Sequence, residues 1–93
     1  MTEILKLPLE LRRDGAKYKL VKRGLKTLMY ARIAFGMIVS YEVFKIKIRK
    51  AGNINGHPFS AREKFPHHEA FGDWAKCLKT LKRAEEVFFE YEK

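Results

Sequence analysis

In residues 41–50, YEVFKIKIRK, Phe44, Ile46 and Ile48 alternate with Lys45, Lys47 and Arg49. Successive side chains of a strand point to opposite faces. The pattern therefore predicts a strand with an apolar side for a core and a row of positive charge on its far side. Back to residue 37 the chain is rich in β-branched and aromatic types, which suit a pleated, half-buried surface. KYKLVKR, residues 17–23, has the same character and is broken by Gly24. LKTLMYARI, residues 25–33, sets Leu25, Thr27, Met29, Ala31 and Ile33 on one parity. Leu28 and Tyr30 share the other with Lys26 and Arg32, and Phe35-Gly36 breaks the run. Three consecutive strands with tight breaks predict an antiparallel meander. A helix over residues 20–35 competes with it, because Leu25, Leu28, Met29, Arg32 and Ile33 would fit one helix face.

The flanks carry other patterns. In residues 1–16 the apolar side chains are mostly two apart and Pro8 opposes a helix, so this stretch reads as an extended or flexible arm ending in a turn at Asp14-Gly15. Residues 51–66 are rich in turn formers. Asn55-Gly56 is placed to close a small hairpin whose return arm is Phe59 to Phe65. Near the end, Trp74, Cys77, Leu78, Leu81, Ala84, Phe88 and Tyr91 follow one helix face. Thr80 allows a second arrangement: it would cap a shorter helix over 81–92, leaving Asp73 to Lys79 as a short edge strand. In either case Lys79, Lys82 and Arg83 precede Glu85, Glu86, Glu90 and Glu92, an order that opposes the helix dipole.

These elements define an α+β fold over residues 1–93: an antiparallel sheet of three to four strands with a C-terminal amphipathic helix on one face. Its expected core is Leu20, Met29, Phe44, Ile46, Ile48, Trp74, Leu78, Leu81, Ala84 and Phe88. A chain of 93 residues makes one modest core.

Charge adds direction. The net charge is +9, and the excess lies in the first two thirds of the chain. A basic body attracts polyanions such as nucleic acid, or an acidic protein. The single cysteine, Cys77, forms no intramolecular disulfide, and the N-terminal stretch lacks a signal-like apolar run. A soluble, cytoplasmic protein without membrane association is expected. The apolar run Ile33 to Val39 is too short to span a bilayer.

The row Lys45, Lys47 and Arg49, with Tyr41 on the same parity, is the most specific feature. Alternate strand residues lie roughly 6.5–7 Å apart, a spacing comparable to that of successive phosphates. Tyr41 is placed to stack on a base. Lys17, Lys19 and Arg23 on the first strand widen the patch. The plain alternative is a solvated face with lysines that discourage edge pairing. His57, His67, His68 and Cys77 match no zinc spacing, so no metal is expected. Cys77 reads as a small core residue. Glu42, on the Phe44 parity, is expected partly buried beside a lysine. No spacing demands a catalytic constellation, and no GxxxxGK[ST] or GxGxxG is present, so neither enzyme chemistry nor a cofactor is expected. Phe89 falls off the helix stripe and offers a dimer contact.

Tyr41 to Ile46, Phe65-Pro66, Glu69, Phe71-Gly72, Trp74, Thr80-Leu81 and Ala84 form a pattern that resembles short proteins of bacteriophages and bacterial mobile elements. The resemblance implies a β-rich module with a C-terminal helix, and brings no function with it. The leading expectation is a non-enzymatic nucleic-acid-binding module of weak sequence specificity. The other is a protein-interaction module, either an inhibitor of an acidic partner or a small homodimer.

Overall fold

The computed structural model describes residues 4–13 and 15–93, without the side chain of His68. The chain is α+β. Strands β1 (Glu10–Arg13), β2 (Ala16–Arg23), β3 (Thr27–Ala34) and β4 (Met37–Lys45) form a meander. Two short ribbons interrupt it: β5 (Ile48–Arg49) pairs with β8 (Arg62–Glu63), and β6 (Gly52–Ile54) with β7 (His57–Phe59). A 3-10 turn over His68–Ala70 leads to β9 (Ala75–Leu78) and helix α1 (Leu81–Glu92). The main sheet is antiparallel in the order β1-β2-β3-β4-β9. No helix among the described residues is long and apolar enough to cross a membrane.

The shorter C-terminal arrangement is the one that forms. Thr80 takes an extended backbone, φ −123°, and its hydroxyl accepts from the Arg83 N–H at 3.3 Å. That satisfies one donor of the first turn. Residues before it pair with β4 as an edge strand, which places Cys77 opposite Glu42 and leaves the thiol exposed. The core position expected for Cys77 is thus corrected. Leu81, in the first turn ahead of the helix–sheet contact, is also exposed.

The Lys45, Lys47 and Arg49 row does not lie on one strand. The Lys45 N–H bonds to the Trp74 carbonyl and the Ile46 N–H to the Lys26 carbonyl as the last rungs on the main sheet; from Lys47, whose carbonyl accepts from the Lys64 N–H, the chain pairs with β8 instead. Ile48 then falls in a two-residue ribbon with no layer over it and is exposed, against its expected place in the core. Of the expected turns, Asn55-Gly56 does close a hairpin: Asn55 at φ 51° and Gly56 at φ 81° suit a two-residue turn. Its return arm, His57–Phe59, is shorter than expected. Asp14, half of the other expected turn, lies outside the described residues, as do residues 1–3 of the arm.

Both faces of the sheet are covered, so every residue from Thr27 to Ala31 on the central strand is buried. On one face, Met29 and Val43 pack under Ala84, Val87 and Phe88 of α1. On the other, Leu28, Tyr30 and Phe44 pack with Tyr18 and Phe65. Phe65 meets the edges of Tyr18, Tyr30 and Phe44 at ring-centroid distances of 4.9, 5.7 and 5.3 Å. Such aromatic pairs stabilise by about 0.5–1.5 kcal/mol beyond their buried area. The Tyr30 hydroxyl donates to the Pro8 carbonyl at 2.6 Å, and burial pushes its pKa up to about 12, so it remains a donor. That bond and the backbone bonds of Leu5 to Ala61 and Glu63 hold the described part of the arm, residues 4–13, over this second face.

Candidate nucleic-acid interface

The seven residues expected to bind nucleic acid are dispersed. Lys17 and Lys19 share a sheet face with Tyr41, but Lys17 pairs with Glu10 at 3.4 Å and Tyr41 packs against the α1 cluster. Lys45 lies over the Tyr91 ring at 5.2 Å, and with Lys47 it lines a shallow depression beside Lys26 and Lys93. Arg23 faces the other way and is engaged. Its two terminal nitrogens donate to the two oxygens of Glu63, both at 2.8 Å. Arg49 alone of the seven lines the larger concavity described next.

On the face opposite α1, the arm, β1, the β5–β8 ribbon and the following loop enclose a cleft of about 750 Å³. Lys6, Arg12, Arg13, Arg49, Arg62 and Lys64 line it. Among the described residues one carboxylate lines its wall, Glu63, and it is paired. Arg23 grips both oxygens and the Leu7 N–H donates to one of them at 2.8 Å, so its pKa is held below the usual carboxylate range. Six basic residues therefore line the cleft, and no free carboxylate among the described residues lines its wall. Two of the arginines lie on rings: Arg13 sits 5.1 Å from the Phe65 centroid and Arg49 4.4 Å from that of Phe59. A ring holds a guanidinium in place and leaves its N–H edge able to donate. The architecture explains why six cations converge: β1 supplies two, the arm one, and the ribbon with its flanking residue three.

The cleft continues at both ends. Through Leu5, Arg49 and Arg62 it joins a hollow of about 450 Å³ beside Phe59. Through Arg13, Phe65 and His67 it joins a pocket of about 500 Å³ over the sheet. Glu42 lies in that pocket. It is buried, and its neighbours are arginines rather than the expected lysine. Burial pushes its carboxyl above the usual range, and the charge of Arg32 opposes the shift. The Tyr18 hydroxyl is 3.5 Å from one of its oxygens, at the outer limit of a hydrogen bond. Cys77 and His67 also line this pocket, while the side chain of His68 lies outside the described residues. No group of three His, Cys, Asp or Glu suited to a metal ion occurs among the described residues.

Arg12, Arg13 and Arg62 escaped the sequence reading because they belong to no alternating run. They meet only when the arm folds across β1 and the Leu5–Arg62 bridge draws the long connection beside it. Comparisons with protein families, with curated proteins and with solved structures gave no match.

Proposed function

We propose that this protein binds single-stranded nucleic acid along the cationic cleft and carries out no reaction on it. The observation behind this reading is the six basic residues around a cleft where the one carboxylate among the described residues is already paired. A groove of that charge has cations that follow a backbone, as single-strand binders do, and the guanidiniums of Arg13 and Arg49, seated on Phe65 and Phe59, offer planes on which bases stack. Phosphate contacts by themselves carry no sequence information. The resemblance to phage and mobile-element proteins implies a setting in which such an activity would be useful.

The test is fluorescence anisotropy with labelled oligothymidine across a salt series. Affinity should fall steeply with log salt, by a slope of roughly 0.7 for each phosphate neutralised. Arg62→Ala and Arg49→Ala should each weaken binding and flatten the slope by about that amount, whereas Lys19→Ala, on the far face, should leave it unchanged. A steep slope that survives both arginine changes would move the interface away from the cleft.

A second reading, self-association, has its own observation. The β3–β4 hairpin ends in exposed Phe35, Met37 and Ile38, and β9 covers β4 only from Tyr41 to Phe44. No described strand pairs with the outer edge of residues 37–40, and that stretch carries no charge. An uncharged open edge is a template for pairing, and a second copy offers the same edge. Light scattering on a sizing column should then show a dimer that Ile38→Lys dissociates. A monomer at every concentration would end this reading. Phe89 is exposed as expected, but Lys22 lies over its ring at 4.5 Å, which makes it a poor apolar contact.

A further inference from the structure

We propose that the Glu42 pocket at the end of the cleft receives one base of the bound strand and selects guanine. The inference rests on the cleft as the path of the strand. The pocket opens into the cleft past Arg13, Phe65 and His67, so a backbone held by the cleft can turn one base into it.

The floor is built by sheet register. Tyr30 pairs with Glu42 and Arg32 with Ser40, so Arg32 and Glu42 are diagonal neighbours on one face. The second carboxylate oxygen of Glu42, the Nε–H of Arg32 and the hydroxyl of Ser40 are all buried, with no hydrogen-bond partner among the described residues. Glu42 is 6% exposed and Ser40 3%. Buried polar groups are nearly always satisfied, and a cluster that breaks the rule beside a cavity points to a ligand.

The arrangement of donors and acceptors names that ligand. Glu42 accepts, Arg32 donates, and Tyr18, Phe65 and Phe71 offer flat walls. The occupant must be planar, with two adjacent donors for a carboxylate and an acceptor beside them. Guanine presents N1–H and its 2-amino group side by side, next to O6. Adenine and cytosine put an acceptor where N1–H would be, and thymine flanks its single donor with acceptors. A flipped base is read in this way, by its Watson–Crick edge and by stacking. A cationic side chain is disfavoured, because Arg13 and Arg32 already line the pocket.

The test compares oligothymidine with the same strand carrying one central guanine, or one inosine, which lacks the 2-amino group. The guanine strand should bind roughly ten-fold tighter and the inosine strand should fall between. Glu42→Gln should abolish the preference and leave oligothymidine affinity and its salt slope unchanged. Arg32→Met should reduce the preference too. If guanine and thymine strands bind the wild type equally, or Glu42→Gln keeps the preference, the pocket assignment is overturned while the cleft stands. Guanosine monophosphate, titrated into the wild type and followed by NMR, separates the two ideas. If its shifts centre on Glu42 and Arg32 while neither strand binds, the pocket is supported and the cleft is not. If neither mononucleotide nor strand binds, both are overturned.

Discussion

Glu42 and Glu63 are both buried, and their surroundings move their pKa values in opposite directions. That of Glu63 is held low, chiefly by its bond with Arg23. A lowered carboxyl contributes stability above the ordinary value of 4.5, and loses it as pH falls through the folded value. Removing one partner of a buried ion pair costs roughly 3–5 kcal/mol. Arg23 keeps 27% of its side chain exposed and rehydrates in part, so Glu63→Gln should cost about 2–3 kcal/mol at neutral pH. A thermal melt should show a fall of roughly ten degrees or more, shrinking in acid. Glu42 has the opposite sign. Its raised carboxyl penalises the fold only when ionised, so the penalty is absent below 4.5 and grows as pH rises through the folded value. Glu42→Gln should therefore melt higher than wild type at neutral pH and equal to it in acid. An unchanged melt at neutral pH would show that the ionised carboxylate costs nothing. A buried carboxylate that lowers stability is a mark of a binding site.

At the scale of elements, α1 and the β3–β4 turn each break a local rule. The helix has no acidic residue in its first turn and no basic residue in its last. Glu92 shows why: its carboxylate reaches across to accept from the backbone N–H groups of Leu25 and Lys26, the latter at 3.0 Å. Loss of water around it raises its pKa, but those backbone donors outweigh this and hold it low. Gly24 leaves room for it, since a Cβ there would displace the carboxylate from these donors. The helix is thus pinned by Thr80 at its start and by Glu92 at its end. Thr80→Ala should cost about 1 kcal/mol, read as a lower denaturation midpoint at unchanged slope. In the β3–β4 turn Phe35 is fully exposed at φ 54°, a conformation costly for a bulky residue. Phe35→Asn should raise the melting temperature by a few degrees, since asparagine suits that position. If Phe35 serves self-association, the same change should weaken the dimer.

For the whole molecule, two covered sheet faces concentrate stability in the middle. Leu28, Met29 and Tyr30 on β3 and Val43 and Phe44 on β4 are fully buried. The β6–β7 ribbon has almost every residue exposed. Hydrogen exchange should therefore be slowest at β3 and β4, near the global unfolding rate, and fast in β6–β7. Truncating Phe44 to Ala should cost roughly 3–5 kcal/mol, because it packs against Tyr30, Phe65 and Trp74 at once. Charge is divided by the same architecture: on the α1 side Lys17 is paired with Glu10 and Lys22 and Lys45 lie over rings, while the cleft on the opposite side is lined by six basic residues and, among the described residues, one carboxylate.

The meander, the Asn55-Gly56 hairpin and the final amphipathic helix were legible because each is written in residues close in the chain: alternation, turn chemistry and a 3.6-residue stripe. The burial of Glu42 was legible for the same reason, since it shares parity with Phe44. The end of β4 was not. Alternation continues through Arg49, but past Ile46 the chain changes partner from the main sheet to Arg62–Lys64, residues well away in sequence. Tyr30 shares its parity with Lys26 and Arg32 and is nevertheless fully buried, because the second layer over the sheet comes from the arm and from Phe65, which no local period announces. The cationic cleft is of that kind as well. Composition determined that the chain would be basic; only tertiary contacts between the arm, β1 and the β5–β8 ribbon decided where six of those charges would converge.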